Sequence, residues 1–296
     1  MGANLKEVRE RISSVKSTQQ ITKVMKMVSA AKLKRATDAI VQMRPYSDKL
    51  DELLSNLMAN LDGDASSKYG EEREIHNACV VIVTSNRGLC GGFNTNIIKA
   101  SNNLIAEKYA DVRKAGNLTL VPIGKKGYEF AKRHLADCNI VDKYVDLFND
   151  LSADNVSRVS KRLIAGFMDK KYDSIDIAYS RFKNAAMQFA EIEPFLPVKK
   201  LETKETKHKA DYIFEPNKEA LLEHLIPSIL QTSFQKYLLD THASEHGARM
   251  TAMDNATENA EELVKELKIQ YNKARQEAIT RELSEIVGGA AALEAG

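Results

Sequence analysis

Residues 78–94 read ACVVIVTSNRGLCGGFN, an apolar run that ends in a glycine-rich turn. The run is rich in β-branched residues, which favours a buried β-strand. Gly88, Gly91 and Gly92 suit a tight connection, because glycine adopts positive φ angles without strain. This strand and turn, followed by a helical pattern, indicate the first unit of an α/β domain.

Two more strand-like runs lie downstream, LTLVPIG at 118–124 and SIDIAYSRF at 174–182. Helical patterns at 94–109, 126–135 and 153–170 alternate with them. Strands that alternate with helices predict a mostly parallel, Rossmann-like α/β sheet. We expect residues 62–76 to form a loop, and residues 191–215 to supply the last strands or a linker.

The chain ends are predicted to be long helices with narrow apolar stripes. The N-terminal stripe follows Leu5, Val8, Ile12 and Val15 at 3–4 spacing and resumes at Ile40. Between them we expect it to shift through Ile21, Val24, Met25, Val28 and Leu33. After Pro216 helical patterning continues to Gly288-Gly289, with Leu263, Leu267, Gln270 and Ala274 expected in its stripe. At 1.5 Å per residue these helices span roughly 80 and roughly 100 Å.

Two narrow stripes bury each other most simply in an antiparallel two-stranded coiled coil. The predicted fold is therefore α/β, a long antiparallel coiled coil of the terminal helices plus a Rossmann-like globular domain. The predicted domains are residues 1–60 for the N-terminal helix, 76–200 for the α/β domain and 216–290 for the C-terminal helix.

Composition excludes several classes of protein. Net charge is +2 over 296 residues, so the chain as a whole is not a polycation. Cys79, Cys90 and Cys138 are scattered without a CxxC pair, which disfavours a disulfide framework or zinc site and indicates a reducing compartment. No apolar run is long enough for a membrane span, and the N-terminus lacks the apolar stretch of a signal peptide. We expect a soluble protein that could still dock on a membrane complex.

The glycine turn resembles a phosphate-binding loop only superficially. Its G-x-x-G-G pattern matches neither G-x-G-x-x-G nor the P-loop, which favours a structural turn over a nucleotide site. Cys90 within it belongs to no Cys/His nucleophile signature. His242 and His246 have the i, i+4 spacing of a metal pair, but without a third ligand we expect them at a surface or interface.

The first 35 residues hold nine basic side chains against Glu7 and Glu10. Three interpretations fit this charge: a solvated helix face, a nucleic-acid-binding stripe, or an axle inside a protein cavity with acidic loops. The segment contains no aromatic residue and no nucleic-acid-binding motif, which disfavours the second interpretation.

Four motifs resemble the gamma subunit of F-type ATP synthase. They are ITKVMKMVSAAKL at 21–33, SNRGLCGGFN at 85–94, SEHGARMTAMDNAT at 244–257 and YNKARQEAITRELSEIVGGAAAL at 271–293. The resemblance covers essentially the whole chain in order, and the two terminal motifs are highly specific.

The resemblance implies a central rotor shaft. Its paired helices would stand inside a hexamer of alpha and beta subunits, with the globular domain beside epsilon on the c ring. Proton flow through the ring would turn the shaft and drive ATP synthesis, and hydrolysis would reverse the motion. The chain itself would be non-catalytic and bind no cofactor or metal, since alpha and beta hold ATP, ADP and magnesium. It would sit peripherally at the cytoplasmic face of a bacterial inner membrane, contacting the membrane only through the c-ring complex and binding no nucleic acid.

The resemblance also implies contact residues. Arg249, Arg275, Gln276 and Thr280 match the family's contacts with the catch loops of beta. Lys23 and Met25 match the region of the N-terminal helix that tunes coupling. Tyr212 is the best match for a contact with the c ring.

The resemblance has one departure, and two other protein classes stay open. No cysteine-paired insertion like that of chloroplast gamma chains is recognisable, so no thiol regulation of that kind is expected. A nucleic-acid-binding or scaffold coiled coil predicts salt-sensitive binding by the isolated chain. A small α/β enzyme predicts activity that survives removal of both terminal helices.

Overall fold

The computed structural model describes residues 5–59, 68–71, 73–198 and 218–294, without the side chains of residues 48, 51–59, 218–224 and 291–294. The elements in chain order are α1 (Leu5–Ala59), β1 (Ala78–Val83), α2 (Phe93–Lys108), α3 (Ala110–Lys114), β2 (Leu118–Ile123), α4 (Lys125–His134), β3 (Asn139–Ile140), α5 (Ala153–Met168), β4 (Ser174–Phe182), β5 (Gln188–Leu196) and α6 (Lys218–Glu294). Two short 3-10 helices, Asp142–Tyr144 and Leu147–Asn149, connect β3 to α5.

The five strands form one sheet in the order β3-β2-β1-β4-β5. β1 lies at its centre, parallel to β2 and β4, with Ala78 opposite Leu118 and Ser174. β5 is antiparallel to β4 and closes one edge. The other edge is β3, which is only two residues long. The predicted α/β domain is therefore present, with an antiparallel last strand.

Alternation along the strands divides the core between the two faces of the sheet. On one face Val81 and Ile177 pack with Phe167 of α5 and Phe234 of α6. On the other face Val80 and Leu120 pack with side chains of α2, such as Ile97. Because β1 is fully buried on both faces, its sequence is a continuous apolar run.

The predicted strands and helices agree closely with these elements. SIDIAYSRF coincides with β4, and the apolar parts of ACVVIVTS and LTLVPIG form β1 and β2. Of the segment 191–215, residues 191–196 belong to β5. The rest of that segment from residue 199 lies outside the described residues, as do residues 62–67 and residue 72 of the predicted loop.

The contacts divide the chain into two compact units. The first unit joins Met1–Val28 of the N-terminal part to Met250–Gly296 of the C-terminal part. The second unit, Ser29–Arg249, contains the sheet. Inside the second unit, Ala36 and Ile40 of α1 form an apolar cluster with Leu239 and Ala243 of α6.

Candidate functional site

In the first unit α1 and α6 pair as antiparallel helices. The hydroxyls of Thr22 and Thr257 are 2.8 Å apart. One turn further along α1, Lys26 forms an ion pair with Asp254, which lies earlier in α6. A step forward on one helix thus matches a step backward on the other, which fits the predicted antiparallel pairing.

The buried stripe of α1 keeps one heptad spacing. Its least exposed positions in the first unit include Val8 and Thr22, and the same spacing reaches Ser29, Ala36 and Ile40 in the second unit. The predicted shift of the stripe is wrong at Ile21, Val24 and Val28, which are 60, 53 and 51% exposed. Met25 and Leu33, predicted with them, are half-buried. The buried residues follow the heptad spacing instead, because two helices can pair over a long distance only along a constant stripe. This holds even where the stripe carries polar residues.

The stripe of α6 in the first unit has the same 3–4 spacing. Its positions are Met253, Thr257, Ala260, Val264, Leu267, Tyr271, Ala274 and Ala278. Leu267 and Ala274 were predicted in the stripe and lie in it. Gln270 was also predicted there, but it is exposed. Leu263 is half-buried beside Val264, at the margin of the stripe.

The end of α6 is free of contacts that bury it. The pairing of Thr22 with Thr257 places Leu5, the first described residue of α1, level with Ala274. Beyond Ala278, every side chain through Ala290 is exposed. This part of the helix therefore has its whole circumference available to a partner.

Three of the predicted contact residues lie close together on this segment. Arg275, Gln276 and Thr280 are all exposed. The Thr280 hydroxyl donates to the Gln276 carbonyl oxygen at 2.9 Å. Within the part of the chain that the structure describes, Arg275 has no ion pair. Their contact with beta loops stays a prediction.

The predicted coupling residues lie on α1. Lys23 is exposed and Met25 is half-buried. Around them, Ile21, Val24, Met27 and Val28 form an exposed apolar surface. This surface was not predicted from the sequence. The spacing of these residues does not continue the strict pattern set by Leu5, Val8, Ile12 and Val15. That mismatch in the sequence could have indicated that they lie outside the buried stripe.

Arg249 lies in the second unit, where its guanidinium is buried. It donates to the Glu245 carboxylate at 2.7 Å and to the carbonyl oxygens of Arg87 and Gly88 at 2.9 and 3.2 Å. Burial raises the pKa of Glu245, while the charge of Arg249 opposes that shift. Within this chain, Arg249 therefore fastens the glycine turn to α6. Its predicted contact with a beta loop is untested.

His242 and His246 were predicted at a surface or an interface. Within the second unit His242 is half-buried and His246 is 4% exposed, so the surface alternative is wrong for His246. Nδ1 of His246 lies 3.3 Å from Nη1 of Arg249, which can only donate, so Nδ1 accepts. Nε2 of His246 then carries the proton and donates to Nε2 of His242 at 3.1 Å. Burial lowers the pKa of these rings to about 4 for His242 and about 3 for His246.

The glycine turn is held together mainly by its own polar groups. The Ser85 backbone N–H donates to Oδ1 of Asn94 at 3.0 Å, and the Ser85 hydroxyl donates to the Arg87 carbonyl at 2.6 Å. Positive φ occurs at Gly91, as glycine suits, but also at Leu89, whose φ is 62°. Leu89 is 64% exposed, so a strained turn presents an apolar side chain to solvent.

The remaining predictions concern the c-ring contact, metal binding and the membrane. Tyr212, the predicted c-ring contact, lies outside the described residues. Within the described ranges, no three His, Cys, Asp or Glu side chains are placed to hold a metal ion. None of the described helices combines the length and apolar character that crossing a membrane requires.

Comparison with known proteins gives the family. A sequence profile described as ATP synthase matches residues 4–293. The ATP synthase gamma chain of Cytophaga hutchinsonii is 51% identical over 293 residues, covering 98% of this chain and 99% of that one. The gamma chain of Christiangramia forsetii is 52% identical over 291 residues, with 98 and 99% covered.

The chain belongs to the ATP synthase gamma chain family.

The fold agrees with a solved relative of this family. A chain of the mitochondrial ATP synthase of Euglena gracilis, solved by cryo-EM with OSCP, F1 and the c ring, superposes with a TM-score of 0.71. The two are 25% identical, and the match covers 99% of this chain and 95% of that one. The predicted family and fold class are confirmed, and this gamma chain is one subunit of a multisubunit ATPase.

Proposed function

We propose that this chain is the central shaft of an F-type ATP synthase rotor. It stands within a hexamer of alpha and beta subunits and joins epsilon and the c ring at its α/β domain. Its rotation couples proton flow through the ring to synthesis or hydrolysis of ATP at the alpha/beta sites. Family membership supports these partners, since the Euglena relative was solved together with F1 and the c ring.

The exposed end of α6 is the observation that carries this proposal. From Ile279 to Val287 the helix holds several large apolar side chains 48–68% exposed. Apolar groups exposed in this way mark a surface that a partner covers. A ring of subunits around the helix can cover its whole circumference, whereas a flat partner surface would cover only one side.

Arg275, Gln276 and Thr280 supply the directional contacts in this mechanism. A rotor changes the conformations of surrounding subunits only if it binds those conformations with different affinity. The guanidinium of Arg275 forms charge-assisted hydrogen bonds with an acidic loop of beta, and the two neutral side chains add weaker bonds. As the shaft turns, these contacts pass from one beta subunit to the next.

The same proposal assigns no reaction to this chain. Alpha and beta hold ATP, ADP and magnesium, and the gamma chain transmits torque between them and the membrane ring. It lies at the cytoplasmic face of a bacterial inner membrane as a peripheral subunit. Lys23 and Met25 on α1 tune the coupling, while Arg249 and Tyr212 add contacts with beta and with the c ring.

ATP hydrolysis by alpha and beta subunits, measured with and without this chain, tests the proposal. The chain alone should be inactive and should raise the turnover of the mixture. Arg275→Ala removes a charge-assisted hydrogen bond worth about 1.5–3 kcal/mol, so assembly affinity or turnover should fall roughly ten- to a hundredfold. Gln276→Ala should have a smaller effect in the same direction.

Lys99→Ala is the matched control, because Lys99 is an exposed cation on α2 in the second unit. It should assemble and hydrolyse like the wild type. If the chain neither assembles with alpha and beta nor changes their turnover, the rotor function is wrong. Salt-sensitive binding of nucleic acid by the isolated chain would then become the leading alternative.

A further inference from the structure

A groove of about 670 Å³ runs along α5 at the short edge of the sheet. Its buried base includes Val121 of β2 and Tyr172, which precedes β4. Lys161, Arg162 and Ala165 of α5 line the groove, and Lys143 lines it from the short 3-10 helix after β3. The volume falls in the range of small-molecule sites, roughly 300–1,000 Å³.

The fold explains why this space is open. β3 has only two residues, so the sheet ends directly beside β2. α5 packs closely on Tyr172 because residue 166 is glycine, where a Cβ would lie 2.7 Å from the tyrosine ring. The groove therefore has a fixed base formed by the core of the domain.

The charge of the groove is strongly one-sided. Lys143, Lys161, Arg162 and Lys171 line it, and Asp169 is its single acidic lining residue. None of these four cations forms an ion pair with another described residue, although cations elsewhere in the domain do, as Arg113 does with Asp137. Four clustered cations beside a single carboxylate repel one another, and a bound anion relieves that repulsion.

The four cations come from different segments of the chain, which bears on the kind of anion that they could bind. Lys161 and Arg162 are neighbours on α5, and Ala165 lies one turn later on the same face. Lys143 lies on the segment after β3, and Lys171 lies beyond the end of α5. Four cations supplied by three separate segments suit an extended group with several charges better than a single phosphate.

We propose that this groove binds a small phosphorylated ligand through a diphosphate group. The diphosphate lies between Lys143 and the Lys161–Arg162 pair, away from Asp169. Arg162 provides a planar pair of donors for phosphate oxygens, and the lysines act as point charges. The site belongs to the α/β domain alone and does not depend on the proposed rotor function.

Calorimetric titration of the full chain with pyrophosphate tests the site, with inorganic phosphate as the smaller probe. Pyrophosphate should bind one per chain and at least tenfold more tightly than phosphate, and its affinity should fall as salt is raised. Equal affinity for the two probes, or no binding of pyrophosphate at low salt, would overturn the proposal.

Two variants locate the binding. The double variant K161Q/R162Q should weaken pyrophosphate binding at least tenfold, and Ala165→Trp should do so by filling the groove without changing charge. The matched control K132Q/R133Q removes an adjacent, exposed Lys-Arg pair from α4 and should leave affinity within twofold. If the control weakens binding as much as K161Q/R162Q, or if Ala165→Trp binds normally, the anion is held by diffuse surface charge and the groove is not its site.

Discussion

The guanidinium of Arg249 joins three parts of the second unit. It contacts Glu245 one turn earlier in α6, the ring of His246, and the carbonyl oxygens of the glycine turn. Both ends of the Arg249–Glu245 ion pair have side chains only 9% exposed. A pair this deeply buried is costly to break, because the remaining charge has no water to solvate it.

Arg249→Ala should therefore lower the free energy of unfolding by about 3–5 kcal/mol. Urea denaturation followed by circular dichroism measures this loss. Adding Glu245→Gln to the variant removes the stranded carboxylate and should restore part of the stability. A loss below about 1 kcal/mol for Arg249→Ala would show that the cluster contributes little.

The neutral His242–His246 pair makes stability depend on pH. Their folded pKa values, about 4 and about 3, lie below the ordinary histidine value of 6.5. The unfolded chain therefore binds protons first as pH falls, so the pair's contribution is complete above pH 6.5 and is lost from there down towards pH 4. Each ring costs about 1.4 kcal/mol per pH unit in that window.

His246→Asn tests this pH dependence, because the Asn oxygen still accepts from Arg249 but does not titrate. Thermal melting from pH 7.5 to 4.5 should show a smaller decline for the variant than for the wild type. The two melting curves are compared with each other, because other buried groups also affect the melting temperature. Glu245 and Asp240 have raised pKa values, so their contribution to stability grows as pH falls, opposite to that of the histidines. Parallel curves would contradict a neutral buried pair.

At the scale of elements, the helix pair of the first unit is joined partly by polar contacts. The Thr22–Thr257 contact occupies a place where an ordinary coiled coil holds leucine or isoleucine. The Lys26–Asp254 ion pair lies at the margin of the stripe, with side chains 39 and 42% exposed. A polar position in such a stripe lowers stability but fixes the register of the two helices. The apolar residues Ile21 and Val24 stay outside the stripe as surface.

Leu267→Ala compared with Ile269→Ala tests this assignment of faces. Leu267 is 2% exposed and Ile269 is 70% exposed on the same helix. Leu267→Ala should cost about 2–5 kcal/mol, whereas Ile269→Ala should change stability by less than about 0.5 kcal/mol. Urea unfolding followed by helical circular dichroism measures both. Equal losses would mean that both residues are buried and that the stripe is misassigned.

At the scale of the whole molecule, the two units have very different cores. The second unit buries β1, β2 and β4 between helices, including Phe167, Phe234 and Ile97 at 0–1% exposure. In the first unit, the buried apolar residues are few among those described: Val8, Met253, Ala260, Val264 and Leu267. Local stability follows the amount of buried apolar surface, so the units should open separately.

Native-state hydrogen exchange on the full chain checks this difference. Amides of α6 from Met253 to Leu267 should exchange with a lower opening free energy than amides of β1 and β4. The central strands should reach the global free energy of unfolding, because they open only when the sheet is lost. A single opening energy across both units would contradict the expectation and indicate one cooperative structure.

The sequence by itself determined the elements. Strands β1, β2 and β4 were predictable because residues buried on both faces must be apolar, and β-branched side chains suit a pleated sheet. The terminal helices were predictable because few glycines and prolines interrupt them. The family was recognisable from motifs at both ends, whereas the domain boundaries at 1–60, 76–200 and 216–290 remain predictions.

Only the tertiary structure decided which of these residues face each other. Ile21 and Thr22 both lie on a helix, and only pairing with α6 selects Thr22 for the stripe. Arg249 contacts carbonyl groups 161 and 162 residues away, and the phosphate groove needs α5, β2 and β3 side by side. The periodicity of a sequence shows which side of its own helix or strand a residue occupies. Which residues meet across the fold depends on the free energy of the whole packed chain, so contacts between distant residues leave no pattern in the local sequence.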